Sequence, residues 1–110
     1  MFAEYIEHYI LSNYKKSNIN VESVANEFKV TTTYLGYIFK KEIGIPISQY
    51  IIQLKMKEAA RLLLETDLLV KDIAEAVGYN DINFFIRRFK KEYGCSPMKY
   101  KDNEKERTGK

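Results

Sequence analysis

Two clusters of cations recur at the same spacing from the same neighbours. Lys40 and Lys41 sit in Phe39-Lys40-Lys41-Glu42-Ile43-Gly44, and Lys90 and Lys91 in Phe89-Lys90-Lys91-Glu92-Tyr93-Gly94. Asn83, Arg87 and Arg88 stand just ahead of the second cluster. Ammonium and guanidinium groups neutralise phosphates, a forked arginine matches the acceptor pair of guanine, and an asparagine matches adenine. Ahead of the first cluster lie Thr31, Thr32, Thr33, Gly36 and Tyr37. Their hydroxyl and methyl groups suit adaptable hydrogen bonds and thymine methyls, as do the apolar tips of Ile82 and Ile86. This is the chemistry of reading a duplex. Catalytic chemistry has little to draw on: with one histidine, His8, and one cysteine, Cys95, there is no plausible triad, metal cluster or phosphate cradle.

The elements that carry these residues follow from apolar spacing. Phe2, Ile6, Tyr9 and Ile10 mark an amphipathic helix over about residues 2–15. Asn20 is placed to cap a second helix, with Val21, Val24, Ala25 and Phe28 at i, i+3, i+4 and i+7. After the turn at Lys29-Val30, Thr31 caps a third helix. Leu35, Ile38 and Phe39 face inward on it, while Thr32, Thr33, Gly36, Tyr37 and Lys40 face outward. Gly44 and Pro46 end it. A long fourth helix is expected from Ser48 to Glu65, about 27 Å in length. Its apolar residues run nearly all round, so it packs on more than one side.

The stripe then returns as Val70, Ile73, Ala74 and Val77. Gly78 makes the turn, and Asn80 or Asp81 caps the next helix. That helix buries Phe85 and Phe89 and presents Ile82, Asn83, Ile86, Arg87 and Lys90. Gly94 stops it, and Pro97 starts a short last helix. The polar stretch from residue 101 onward is expected to be disordered. No strand-like alternation occurs.

The expected fold is all-α: a helix-turn-helix subdomain over 1–46, a linker helix over 47–66, a second helix-turn-helix subdomain over 67–101 and a polar tail over 102–110. About seven helices result. In such a unit the second helix enters the major groove, its early residues reaching bases and its basic end reaching phosphates. Base-reading candidates are therefore Thr32, Thr33, Gly36, Tyr37, Ile82, Asn83, Ile86 and Arg87. Phosphate candidates are Thr31, Lys40, Lys41, Asn80, Arg88, Lys90 and Lys91. The two outward faces differ, so an asymmetric site is expected. A shaft close to one turn of DNA in length lets both helices enter successive grooves.

The 110 residues are 45% hydrophobic and carry a net charge of +3, enough for a core and permissive of a nucleic-acid partner. A lone cysteine excludes an intrachain disulfide, and no apolar run reaches bilayer length, so a cytoplasmic protein with no membrane partner is expected. A helical protein-interaction domain without DNA affinity is the competing reading. It predicts an exposed apolar groove and little dependence on salt.

The chain resembles the DNA-binding domain of the AraC/XylS family of bacterial transcription regulators. The resemblance rests on Ile73-Ala74, Val77-Gly78-Tyr79, Asn83-Phe84-Phe85-Ile86-Arg87-Arg88-Phe89-Lys90-Lys91 and Gly94-Cys95-Ser96-Pro97 with Tyr100. Lys55, Met56, Ala59 and Leu62-Leu63 of the linker follow it too, and it covers about residues 5–101. It implies two helix-turn-helix subdomains on a long helix, recognition by the third and sixth helices, double-stranded DNA and RNA polymerase as partners, and no cofactor. Tyr37 departs from the basic residue common there, and Ile86 from a small polar one. The opening Tyr5-Ile6-Glu7-His8-Tyr9-Ile10 is similar to the C-terminal domains of YesN-type response regulators. That similarity implies a two-component output domain, following an N-terminal receiver or sensing domain if the chain is a fragment. A small stand-alone activator is the alternative.

Overall fold

The computed structural model describes residues 2–107. They form seven α-helices, with no strand among the described residues: α1 Phe2–Asn13, α2 Val21–Phe28, α3 Thr32–Ile43, α4 Ile47–Glu65, α5 Val70–Ala76, α6 Ile82–Tyr93 and α7 Pro97–Arg107. The chain divides into two compact units, and the boundary falls inside α4, between Leu54 and Lys55. The near-continuous apolar surface of α4 has its reason here. Its first half contributes Ile47 and Ile51 to one unit, and its second half contributes Met56, Ala59, Ala60 and Leu63 to the other.

In the first unit, Ile6 and Ile10 of α1 meet Val24 and Ala25 of α2, Leu35 and Phe39 of α3, and Ile47 and Ile51 of α4. Asn20 starts α2 with a reciprocal capping box: its side-chain oxygen accepts from the Ser23 amide at 2.8 Å, and its amide donates to Ser23 Oγ at 2.9 Å. Buried Ala25 removes bulk where α3 crosses. The turn then passes through Lys29 at φ 57°, the one non-glycine with positive φ among the described residues. Such a conformation costs an L-residue about 1–2 kcal/mol. The Val30 amide closes the turn on the Ala25 carbonyl at 3.0 Å. The Tyr50 ring meets Phe39 edge-on at 5.2 Å, and its hydroxyl donates to Glu7 Oε2 at 2.7 Å. Burial, and then the Glu7 carboxylate, push the Tyr50 phenol up to about 12.

The second unit repeats this plan with α4 in the place of α1. Ile73 and Ala74 of α5, Val77, and Phe85 and Phe89 of α6 are buried. The turn here uses Gly78 at φ 97°, and the Tyr79 amide donates to the Ala74 carbonyl at 2.8 Å. Glycine makes this turn without the Cβ penalty that Lys29 bears. Phe89 packs on Phe85, Tyr93 and Tyr100 at 6.1, 4.7 and 5.5 Å, and its edge-on contact with Tyr100 mirrors the Phe39–Tyr50 pair. Lys55 is buried, with 5% of its surface exposed. Its ammonium donates to the Val77 carbonyl at 3.2 Å and lies 5.2 Å from the Tyr79 ring centroid. It thus satisfies a carbonyl at the C-terminal end of α5, where the backbone has no helical partner. Desolvation lowers its pKa.

The last helix is a correction. α7 is eleven residues long and runs through Arg107, where disorder is expected from residue 101. Polarity alone misleads here, because Lys, Glu and Arg are good helix formers. Arg107 pairs with Glu104 at 2.6 Å one turn earlier, and Lys105 and Arg107 favour the negative end of the helix dipole. Residues 108–110 of the expected tail lie outside the described residues.

Candidate nucleic-acid interface

Along residues 31–40 and 81–90 the order of exposed, half-buried and buried positions is identical. Leu35 and Phe39 anchor α3 as Phe85 and Phe89 anchor α6, all four with no exposed surface. With those faces turned inward, the opposite face of each helix is free. On α3, Thr31, Thr32, Thr33, Tyr37, Lys40 and Lys41 are exposed and Gly36 is half-buried. On α6 and the turn before it, Asn80, Ile82, Asn83, Arg87, Lys90 and Lys91 are exposed, while Ile86 and Arg88 are half-buried. Within each unit, the sequence candidates therefore share one helix and the residues that lead into it.

Both helices begin with a side-chain cap. Thr31 Oγ1 accepts from the Tyr34 amide at 3.0 Å. Asp81 Oδ1 accepts from the amides of Asn83 at 2.9 Å and Phe84 at 3.3 Å. Of the two expected caps it is thus Asp81 that closes the helix, and Asn80 is left on the exposed turn. Both helices end at a left-handed glycine, Gly44 at φ 101° and Gly94 at φ 80°, with cations in the last turn that offset the dipole. Among the described residues, no carboxylate is ion-paired with Lys40, Lys41, Arg87, Arg88, Lys90 or Lys91. Their charge remains available to an anionic ligand.

The units differ in how they hold their outward groups. On α3 the exposed ring is Tyr37, with Lys41 Nζ 5.7 Å from its centroid. On α6 a cation stands at the register of Tyr37: the Arg87 guanidinium lies 5.8 Å from the centroid of Phe84, three residues earlier. Arg88 occupies the register of Ile38, which packs against the core of the first unit. Half-buried, it places its charge near Tyr79 and opposes the rise in the Tyr79 pKa that burial causes. Phe84 and its counterpart Tyr34 are absent from the sequence candidates, although both rings are nearly half exposed. The period carries the signal for them, since 84 cannot share the inward face with 85 and 89.

Gly36 has no internal reason to be glycine. A Cβ there would meet nothing within 4 Å, and its backbone is not in the left-handed region. Gly36→Ala should therefore raise stability by about 1 kcal/mol through helix propensity alone. A urea midpoint that falls instead would reveal a packing constraint at this position.

Among the described residues, no group of three His, Cys, Asp or Glu side chains could hold a metal ion, and no helix is long and apolar enough to cross a membrane. A helix-turn-helix domain family matches residues 24–103. The lactose operon transcription activator of Staphylococcus xylosus is 36% identical over 101 residues, covering 89% of this chain and 36% of that protein. The chain spans about a third or less of the length of the curated relatives it matches. Among solved structures, the C-terminal domain of the two-component response regulator yesN from Fusobacterium nucleatum superposes with a TM-score of 0.87 at 38% identity, covering 89% of this chain and 95% of that one. The DNA-binding domain of AdpA, solved with a target DNA, shares the fold at a TM-score of 0.87 and 21% identity, covering 96% and 94% of the two chains. The family match over most of the chain and these likenesses together show that the chain belongs to the AraC/XylS-type helix-turn-helix family of bacterial transcription regulators.

Proposed function

We propose that this chain is a sequence-specific reader of double-stranded DNA, with α3 and α6 lying in successive major grooves and α4 acting as the linker between the two readers. The observation that carries this is the repeated exposure order of α3 and α6, which leaves two equivalent cation-bearing faces unpaired. Thr32, Thr33, Gly36, Tyr37, Ile82, Asn83, Ile86 and Arg87 face bases. Thr31, Lys40, Lys41, Asn80, Arg88, Lys90 and Lys91 reach phosphates. Arg88 does so although it is half-buried, since a long side chain can lay its stem on apolar surface and keep its charge in water. The readers carry different side chains, so the site is bipartite and asymmetric. The likeness to a response-regulator C-terminal domain supports an output role, with a receiver or sensing domain elsewhere in the parent protein and RNA polymerase as a downstream partner. On this reading the module works in the cytoplasm, has no enzymatic activity and needs no cofactor.

Selection of bound duplexes from a random pool tests the reading. The expected product is a two-part, non-palindromic consensus with a guanine in the part read by α6. Arg87→Ala should cost about 1–3 kcal/mol on that duplex and erase preference at one position. Failure of the wild-type chain to enrich any sequence would refute the reading outright. Gly36→Ala, stabilised as argued above, should bind the selected duplex more weakly, because its new methyl group stands where the α3 backbone approaches the groove.

A further inference from the structure

Phe84 is the one aromatic of α6 that turns away from the core. Phe85 and Phe89 are fully buried, whereas 45% of the Phe84 surface is exposed. Its ring is nonetheless held. Tyr79 meets it edge-on, with centroids 5.8 Å apart and planes at 71°. Tyr79 is itself fixed from three sides: its amide is bonded to the Ala74 carbonyl, its ring lies 5.6 Å from Phe85, and buried Lys55 sits 5.2 Å from its centroid. The Arg87 guanidinium in turn lies over the Phe84 ring, 5.8 Å from its centroid. A line of contacts thus runs from the buried linker lysine, through the turn, to an exposed cation of α6.

From this arrangement we infer that Phe84 is a positioning residue, an aromatic shelf that holds the Arg87 guanidinium ready for the acceptor pair of a guanine. The inference rests on the reading of Arg87 as a base contact. A free arginine side chain loses much rotamer freedom on binding, and a planar fork settled in advance loses less. An aromatic face attracts the guanidinium without consuming the N–H donors that must reach the base. A carboxylate partner would occupy those donors. The first unit has no such shelf: at the register of Arg87 stands Tyr37, with Lys41 beside its ring. Sharp discrimination at a guanine therefore belongs to the second unit.

The test uses the full chain and the duplex it selects. The probe is the guanine whose preference is erased by Arg87→Ala, replaced by 7-deazaguanine, which lacks the N7 acceptor. Phe84→Leu keeps apolar bulk without the ring and should lower the ratio of guanine to 7-deazaguanine affinity by roughly 2- to 5-fold. Phe84→Tyr should restore it. The urea midpoint and the salt slope should match the wild type in both variants, and Phe84→Leu should add nothing once Arg87 is alanine. If Phe84→Leu keeps the full ratio while Arg87→Ala loses it, the shelf is refuted and the Arg87 reading stands. Equal weakening of both duplexes by Phe84→Leu also refutes the shelf, because a general packing role acts without regard to N7. If Arg87→Ala itself retains every preference, the Arg87 reading falls and the shelf falls with it.

Discussion

Phe89→Ala should destabilise the second unit by about 3–5 kcal/mol, the largest loss expected from any single change considered for this chain. Phe89 has no exposed surface and is walled by the rings of Phe85, Tyr93 and Tyr100. Those walls are poorly placed to collapse into the space left behind. The Tyr93 hydroxyl donates to the Met56 carbonyl at 3.4 Å, and the Tyr93 and Tyr100 rings rest on each other at 5.0 Å. A cavity that stays open costs more than one that closes. A unit of this size has little stability in reserve, so a large part of its helical signal should disappear in water at 25 °C. Urea titration followed by far-UV circular dichroism reads the change directly. Lys91→Ala, two residues away and exposed, provides the contrast and should stay within about 0.5 kcal/mol of the wild type. A loss under roughly 1.5 kcal/mol for Phe89→Ala would show that the ring cluster is not the centre of this core.

Anchors of this kind are also what makes much of the molecule legible in its sequence. The stripes Val24-Ala25 and Ile73-Ala74, the anchors Leu35, Phe39, Phe85 and Phe89, and the stops Gly44 and Gly94 are local signals, and each stands where its spacing requires. The outward faces of α3 and α6 follow by subtraction. Spacing does not separate Asn80 from Asp81, because either side chain can cap and only the path of the turn decides between them. Lys55 is legible as part of a family pattern but not as a buried residue. A lysine on a helix is ordinarily solvated, and the carbonyl that receives this one arrives from a turn more than twenty residues later. Phe84 can be placed outward by its period, yet its hold on Arg87 depends on two side-chain conformations that no spacing encodes. The long α7 escapes a reading by hydrophobicity for a different reason: its order comes from the helix propensity and the i,i+3 pairing of the charged residues themselves.

Affinity for the selected duplex should fall by about 10²–10³-fold between 50 and 200 mM salt, with a log–log slope of roughly −4 to −5. This follows from one phosphate at each of Lys40, Lys41, Arg88, Lys90 and Lys91, at about −0.9 per contact. A net charge of +3 spread evenly would not produce such a slope; the cations must be concentrated where the backbone passes. The phosphate-contacting cations fall unequally on the two helices, Lys40 and Lys41 on α3 and Arg88, Lys90 and Lys91 on α6. A single engaged unit therefore yields a slope of only about −2 to −3, and the measured value reports how many helices touch the duplex. Lys91→Ala should shallow it by about 1 and weaken all sequences alike, whereas Arg87→Ala should change sequence preference and leave the slope nearly unchanged. Wild-type chain with a slope near −2 on a full-length site would mean that one helix binds alone, and the proposed passage through successive grooves would have to be given up. A slope near −4.5 that drops to about −2.7 in a Lys40→Ala, Lys41→Ala double variant would require α3 and α6 to be on the phosphates of the same duplex at once.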